Sequence, residues 1–482
     1  MYDVRPVVFV IGRLTVVMGA SMGLAMLIDL AEGHPNWRGM GLAGFLTLVA
    51  GLGLSVLTRG AATAGLSRQQ AFLLTTLVWV ALPIFGALPF VFGAPQATYT
   101  DAFFEAMSGL TTTGATVMSG LAEAPSGMLF WRALLQWYGG VGIVVFAMVF
   151  LPALKVGGMQ FFRSESFDIG ADILPRAAEV AGSLFWIYLA LTIGCVMAYS
   201  AAGMTLFDAV CHAMTTVSTG GLGNYDDSFG SFPAAAQYVS VVFMWLAALP
   251  FIRFIQLSRG HAAPLFQDIQ VRAFLAIILI LTGVVATWLV LEDRMDVEES
   301  FRGALFNISS IMTGTGYATD DYSAWGGFPM AIFFLVALVG GCAGSTSCSA
   351  KVFRYQILFA ALTLQIRRIH TPSGVFKLRY DHRIVDPEVL SSVMAYFFVF
   401  VTALSVWAIL LSMLGLDALT SISGAVASLA NVGPGLGPEI GPAGNYADMP
   451  EAAKWLLAAG MLLGRLEFIS VLVLLTPRFW QR

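Results

Sequence analysis

Two kinds of apolar segment alternate along the chain. Ten long runs have about the 20 residues that an α-helix needs to cross a hydrocarbon layer, at residues 7–30, 40–57, 71–92, 128–151, 180–201, 234–254, 271–291, 327–352, 390–413 and 452–475. Four shorter, half-apolar segments lie between the later runs, at residues 101–110, 206–217, 298–312 and 417–430. This pattern predicts an all-α polytopic membrane protein with about ten spanning helices and four re-entrant half-helices.

The four short segments are followed by similar loops, which read LTTTGAT, VSTGGLG, TGTGYATDD and NVGPGLG. They align without gaps on Gly114, Gly221, Gly316 and Gly435, which predicts four pseudo-repeats of helix, half-helix, loop and helix. Irregular backbone at membrane depth survives only where protein encloses it or where it lines a watery cavity, so the loops should meet around one central pore. We predict an N-terminal transmembrane hairpin at 1–60, then pore repeats at 61–155, 156–262, 263–385 and 386–482.

Composition and charge agree with this class and give an orientation. Hydrophobic residues make up 58% of the chain and charged residues 11%, against about 25% charged residues in soluble domains. Connections on the side of the Thr/Gly loops (92–127, 202–233, 292–325 and 414–453) carry 17 acidic and two basic residues. Connections on the other side (58–69, 152–177, 254–272, 351–390 and 477–482) carry 16 basic and seven acidic residues. Basic loops favour the cytoplasm, so the Thr/Gly loops should face outward.

Three features suggest ion permeation, and each also has a purely structural explanation. The Thr/Gly loops could turn backbone carbonyls towards a desolvated cation, or they could only pack helices closely. The stretch GGCAGSTSCSAK, residues 340–351, could be a loop that blocks or admits the ion, or a kinked helix. Arg465 lies within an apolar run, where a charge is costly and usually faces an aqueous or protein interior. It could line the pore, or it could pair with a residue on another helix, since Glu467 points to a different side.

These motifs resemble the K⁺ transporter superfamily that includes the TrkH, KtrB and plant and fungal Trk/HKT proteins, and the resemblance is closest to TrkH. It rests on LTTTGAT, TGTGYATDD, NVGPGLG, VGGCAGSTSCSAKVFR and MLLGRLEFISVLVLLTPRFW, and it covers nearly the whole chain. The resemblance implies one pore per subunit, a homodimer in the lipid bilayer of a bacterial inner membrane, and a cytoplasmic nucleotide-binding regulatory subunit of the TrkA type.

The resemblance also assigns residues. It implies K⁺ sites along the four loops, at Thr111, Thr112, Thr113, Gly114, Ser218, Thr219, Gly220, Gly221, Thr313, Gly314, Thr315, Gly316, Asn431, Val432, Gly433, Pro434 and Gly435. It implies a gate at Gly340, Gly341, Gly344, Ser345, Thr346, Ser347, Lys351 and Arg465. Gly114, Gly221, Gly316 and Gly435 are expected to permit the loop conformation. Where relatives often have a glycine run, this chain has Ser347, Cys348 and Ser349.

The function expected from these features is the membrane subunit of a potassium uptake system, with K⁺ as the transported ion and no organic cofactor. One alternative is a Na⁺-permeable or Na⁺/K⁺ cotransporting member of the same fold, because only the third loop resembles the filter of K⁺ channels. A more distant alternative is a broken-helix transporter of small solutes. The chain has no recognisable nucleophile–base constellation, phosphate-binding loop or dinucleotide motif, so we expect neither an enzyme nor a nucleic-acid-binding protein.

Overall fold

The long helices form a membrane-spanning bundle. The structure, a computed structural model, describes residues 3–61, 67–150, 157–162, 173–381 and 383–480. The predicted connection at 152–177 lies largely outside these residues, as do parts of those at 58–69 and 477–482. Within the described residues, seven helices are long and apolar enough to cross a membrane, or eight if one bent pair is counted as a span. The chain is an all-α polytopic membrane protein.

Twenty α-helices occur in the described residues. The first ten are α1 Arg5–Ala31, α2 Trp37–Leu57, α3 Arg68–Gly86, α4 Leu88–Phe92, α5 Tyr99–Leu110, α6 Ser126–Val145, α7 Ile173–Ala201, α8 Leu206–Val217, α9 Ala234–Ala248 and α10 Phe251–Ser258. The remaining ten are α11 Ala263–Gln267, α12 Ile269–Leu291, α13 Val297–Thr313, α14 Gly327–Val339, α15 Val352–His370, α16 Pro387–Met413, α17 Ala418–Ala430, α18 Glu451–Arg465, α19 Ile469–Leu474 and α20 Pro477–Trp480. One two-stranded antiparallel ribbon, β1 Arg379–Tyr380 with β2 Arg383–Ile384, follows α15.

Helices α1 and α2 pack against each other along their length. A methyl group added to Gly12, Gly19 or Gly51 would come within about 3 Å of backbone atoms of the facing helix, so the two backbones approach closely. Small residues permit such close packing between membrane helices, where the hydrophobic effect cannot hold helices together. These glycines therefore serve helix packing.

Among the described residues, three of the predicted spans are interrupted by a sharp bend or by several non-helical residues. The predicted helix at 234–254 bends by 92° between α9 and α10, where Pro250 lacks the amide that would continue the helix. The predicted helix at 327–352 ends at Val339, because residues 340–351 are not helical. The last predicted helix breaks between Arg465 and Ile469, where Glu467 and Phe468 both have positive φ, at 57° and 50°. Non-helical backbone at this depth requires partners from neighbouring elements.

The four half-helices α5, α8, α13 and α17 lie within two residues of their predicted bounds, and α8 matches them. The hydroxyl groups of Thr98 and Thr205 accept the third amides of α5 and α8, and the Asp417 carboxylate accepts the second and third amides of α17. These caps satisfy amides that have no partner within the helix. Each half-helix is largely enclosed by the spanning helices and ends at a Thr/Gly loop.

Candidate functional site

All four loops leave their half-helices through the same backbone turn. The first residue of the turn has a left-handed conformation in each loop, and the second left-handed residue is a glycine two positions later. The first residues are Thr112, Thr219, Gly314 and Asn431, with φ of 51°, 51°, 78° and 52°. The glycines are Gly114, Gly221, Gly316 and Gly433, with φ of 86°, 79°, 84° and 54°. Glycine adopts this conformation without the steric cost that a Cβ imposes.

A hydrogen bond in each loop confirms this register. The amide between the two left-handed residues donates to a carbonyl five residues earlier in the half-helix, a common way to end a helix. The pairs are Thr113 with Ser108 at 2.9 Å, Gly220 with Thr215 at 2.8 Å, Thr315 with Ser310 at 2.9 Å, and Val432 with Ala427 at 3.0 Å. The four loops are therefore equivalent in conformation although their sequences differ.

The prediction that Gly435 permits the conformation of the fourth loop is wrong. Gly433 has the positive φ at the position of the other three glycines, whereas Gly435 lies outside the left-handed region. Asn431 opens the turn, because asparagine tolerates the left-handed conformation better than other residues with a side chain. The alignment of the fourth loop on Gly435 is therefore displaced by two residues.

The loops contact one another in a closed ring. A methyl group added to the glycine of one loop would touch or overlap a carbonyl oxygen of the next loop. The pairs are Gly114 with Gly220, Gly221 with Thr315, Gly316 with Val432, and Gly433 with Thr113. The four carbonyls belong to equivalent positions, namely the residue before each glycine. The side-chain amide of Asn431 also donates to the Thr113 hydroxyl at 2.9 Å, which joins the fourth loop to the first.

A single cavity of about 240 Å³ reaches all four glycines of the ring. Thr116 and Asp226 also line it. The Asp226 carboxylate accepts the amides of Gly120 at 2.9 Å and Leu121 at 3.2 Å, so it ties the first loop to the second as well as adding negative charge at the mouth. The arrangement can present several backbone oxygens at once to a dehydrated cation.

The fully buried loop side chains also bond to one another. The hydroxyls of Thr111 and Thr113 are 2.8 Å apart, and those of Thr313 and Thr315 are 2.7 Å apart. In the second loop, Gln136 of α6 donates to the Gly220 carbonyl at 2.6 Å and accepts the Leu222 amide at 3.0 Å. Ser218 and Pro434 lie in the same loops, beside Thr219 and Gly433. These bonds take the place of the repeating backbone hydrogen bonds of regular secondary structure, which the loops lack.

The non-helical residues 340–351, which we call the gating segment after the role predicted for them, lie directly beneath the ring. The Cys348 sulfur is 3.9 Å from the Thr112 hydroxyl, and its amide lies close to Gly314. All residues from Gly340 to Ser347 are buried. The predicted gate residues Gly340, Gly341, Gly344, Ser345, Thr346 and Ser347 therefore lie below the loops rather than at a lipid-facing surface.

The gating segment is held by the break between α9 and α10. The amide and the hydroxyl of Thr346 both donate to the Ala247 carbonyl, at 3.3 and 2.9 Å. The Cys342 amide donates to the Ala248 carbonyl at 3.1 Å, and the Phe251 amide donates to the Gly344 carbonyl at 2.9 Å. Within the segment, Ser347 accepts the Gly341 amide at 2.9 Å, and Ser345 donates to the Cys342 carbonyl at 2.7 Å. Two interrupted helices thus satisfy each other's free backbone groups.

Arg465 lies between the gating segment and the first repeat. Its guanidinium donates to the carbonyls of Thr346 and Gly139, both at 3.4 Å, and contacts the Cys348 sulfur. Its Nε has no hydrogen-bond acceptor among the described residues. The guanidinium lies 5.7 Å from the centre of the Trp79 ring, a favourable cation–π geometry. Arg465 therefore brings a positive charge to the level immediately below the ring.

The inner end of the gating segment has an ion-pair cluster that sequence reasoning missed. The fully buried Arg354 pairs with Glu467, and Lys351 is 4.0 Å from the same carboxylate. Arg354 also donates to the Gly157 carbonyl at 2.8 Å and lies 3.8 Å above the Tyr396 ring. Glu467 thus belongs to this cluster and not to Arg465. Arg354 directly follows the VGGCAGSTSCSAKVF stretch, but its partner is 113 residues away in sequence.

No group of three or more metal-ligating His, Cys, Asp or Glu side chains occurs in the part of the chain that the structure describes. The four cysteines are buried and free. The oxygens that the ring could offer to an ion are therefore those of the backbone and of uncharged side chains, such as the threonine and serine hydroxyls and the Asn431 amide.

Comparison with known proteins places the chain in a family. The model of the TrkH family, described as cation transport protein, matches residues 42–482. The Trk system potassium uptake protein TrkI of Halomonas elongata is 42% identical over 479 residues, which cover 99% of this chain and 97% of that protein. TrkH of Escherichia coli K12 is 34% identical over 99% of both chains. The crystal structure of the potassium transporter TrkH from Vibrio parahaemolyticus superposes with a TM-score of 0.92 at 34% identity and covers all of both chains. The chain belongs to the TrkH family of cation transport proteins.

Proposed function

We propose that the protein is the membrane subunit of a potassium uptake system and conducts K⁺ inward through the ring of loops. The observation that carries this proposal is the single cavity that reaches an equivalent glycine in each of four loops. Equivalent carbonyls around one axis can replace several waters of a cation without any charged ligand. The relatives named potassium uptake proteins, at 34 to 42% identity over the whole chain, support K⁺ as the ion.

The division of labour within the chain follows the expectations from the sequence. The hairpin at 1–60 supports the pore without contributing a loop, and the four units at 61–155, 156–262, 263–385 and 386–482 each supply one side of it. K⁺ binds along the loop residues Thr111–Gly114, Ser218–Gly221, Thr313–Gly316 and Asn431–Gly435, and it passes the gating segment next. The contact between Cys348 and Thr112 supports this order, because it brings the gating segment next to the ring.

We also propose how the gate is closed. Arg465 holds the gating segment through Thr346 and Cys348, and its charge opposes the passage of a cation. Opening then requires the gating segment to break its hydrogen bonds to the carbonyls of Ala247 and Ala248 at the end of α9. Alternatively, the break between α9 and α10 moves together with the segment. Lys351 acts at the inner end of the segment, where it approaches Glu467.

The partners implied by the resemblance remain part of this proposal. They are a second copy of the chain in a bacterial inner membrane and a cytoplasmic nucleotide-binding subunit of the TrkA type. The end of α15 supports a docking role, because Arg367, Arg368 and His370 occupy its last turn and are exposed. Cross-linking of the purified complex would test both partners, and a monomer without a bound regulatory subunit would contradict them.

Ion flux into liposomes tests the proposed function directly. We expect vesicles containing the purified protein to take up K⁺ in response to an inside-negative potential, and a K⁺-uptake-deficient bacterium to grow on low K⁺ when it produces the protein. Equal flux of Na⁺ and K⁺ would favour the Na⁺-permeable alternative. Flux of neither cation, with the protein correctly inserted, would overturn the proposal.

A further inference from the structure

A buried side chain accepts one particular backbone amide in each of the four loops. This amide belongs to the third residue after the left-handed glycine, where the loop leaves the ring. The four pairs are Glu105 with the Val117 amide at 3.0 Å, His212 with Asn224 at 3.3 Å, Asn307 with Thr319 at 3.2 Å, and Ser423 with Leu436 at 3.0 Å. At most 3% of the surface of any of the four acceptor residues is exposed.

The acceptors occupy related positions although their chemistry differs. Glu105, His212 and Asn307 each lie nine residues before the glycine of their loop, on the half-helix that leads into it. In the fourth unit that position is Gly424, which has no side chain, and Ser423 one residue earlier accepts the amide instead. A carboxylate, an imidazole, an amide and a hydroxyl thus do the same task, so no shared residue type marks the feature in the sequence.

Three of the acceptors are each fixed by a further contact. Arg132 donates to Glu105 at 2.8 Å, with both side chains buried. The side-chain amide of Asn307 donates to the carbonyl of Gly303 at 2.9 Å and to the Thr319 hydroxyl at 2.8 Å. His212 contacts the Asp208 carbonyl through Nδ1 at 2.9 Å, so Nδ1 carries the proton and Nε2 is free to accept.

We propose that Glu105, His212, Asn307 and Ser423 form an amide clamp that sets the spacing of the ring and thereby its discrimination between K⁺ and Na⁺. Each loop is anchored at one end by the turn after its half-helix and at the other end by the clamp, and the carbonyls of the ring lie between the two anchors. Without the clamp the outer anchor is lost, and the loop can move its oxygens inward around the smaller ion. The four residues are positioning residues because they act on the ion through the backbone.

This inference rests on the proposed function, and the experiment separates the two. The permeability of K⁺ relative to Na⁺ is measured in liposomes for the parent protein and for variants in pairs. His212→Met removes the acceptor and His212→Gln retains one at similar length. Ser423→Ala removes a single oxygen, and its matched control is Ser405→Ala, which removes an exposed hydroxyl that donates to the Val401 carbonyl within α16. Monodispersity in detergent shows that each variant is folded.

We expect His212→Met and Ser423→Ala each to lower the K⁺/Na⁺ permeability ratio about five-fold, the factor that corresponds to one hydrogen bond of about 1 kcal/mol. We expect His212→Gln and Ser405→Ala to retain the parent ratio. Parent-like selectivity in Ser423→Ala would overturn the clamp, even if His212→Met fails to fold. Equal losses in His212→Gln and His212→Met would overturn it too. A parent protein without K⁺ flux would instead refute the proposed function.

Discussion

Replacement of Gly221 by alanine tests the geometry of the ring most directly. Gly221 has a φ of 79°, and a methyl group there would overlap the Thr315 carbonyl of the next loop. The left-handed conformation alone costs an L-residue about 1–2 kcal/mol. The overlap adds to this cost, because a backbone carbonyl cannot turn aside as the end of a flexible side chain can.

The matched control is Gly223→Ala, two residues further along the same loop. Gly223 is not left-handed, and the nearest atom to an added methyl group would be 3.5 Å away, an ordinary van der Waals contact. The difference between the two variants should therefore be at least about 1.4 kcal/mol, which corresponds to a tenfold change in an equilibrium. We expect Gly221→Ala to reduce the K⁺/Na⁺ permeability ratio in liposomes about tenfold or more, and Gly223→Ala to change it little.

The assay compares the two purified proteins at equal density in vesicles, with the unfolding temperature in detergent as a check on the fold. If Gly221→Ala and Gly223→Ala have the same permeability ratio, the second and third loops do not approach one another as described, and the assignment of the ring as the selective element fails. A loss of all flux together with a lower unfolding temperature would instead show that the contact supports the fold.

Three further outcomes follow from the site. Gly433→Ala should impair selectivity more than Gly435→Ala, because a methyl group at Gly433 would meet backbone atoms of the first loop, whereas one at Gly435 would meet the side chains of Ile440 and Ser423; a larger effect at Gly435 would contradict the register of the fourth loop. Arg465→Ala should raise K⁺ flux in the absence of a regulatory partner, and parent-level flux at equal abundance would refute a barrier role. Arg354→Met should destabilise the protein by about 3–5 kcal/mol, since it leaves a carboxylate buried without its closest cation; adding Glu467→Gln should restore part of the unfolding temperature, and no restoration would argue against the pair.

The sequence predicts most of the architecture because the membrane restricts the backbone conformations that a chain can adopt. The half-helix Leu206–Val217 could be bounded correctly, since Thr205 supplies a helix cap and the VSTGGLG motif ends the helix. Long apolar runs likewise predict spans such as Ile269–Leu291 to within two residues. Both signals are local, and each follows from the hydrogen-bonding needs of backbone in a medium without water.

Features that depend on distant contacts could not be predicted in this way. The fourth loop offers glycine at both 433 and 435, and an asparagine can open the turn as well as a glycine, so sequence alone does not fix its register. Arg354, the partner of Glu467, is 113 residues away in sequence. The spacing of two residues between Arg465 and Glu467 indicated only that these two side chains do not pair with each other. The bend at Pro250 did have a local signal, which the surrounding apolar run obscured.

The ring is completed by residues far apart in the chain. Its first loop is bonded to the fourth by Asn431 and Thr113, which are 318 positions apart. During synthesis, the first and third loops therefore exist for some time without a neighbour on one side. A partly inserted chain lacks the fourth side of the ring. Ion selectivity therefore arises in one step, when the fourth repeat enters the membrane and its loop completes the ring.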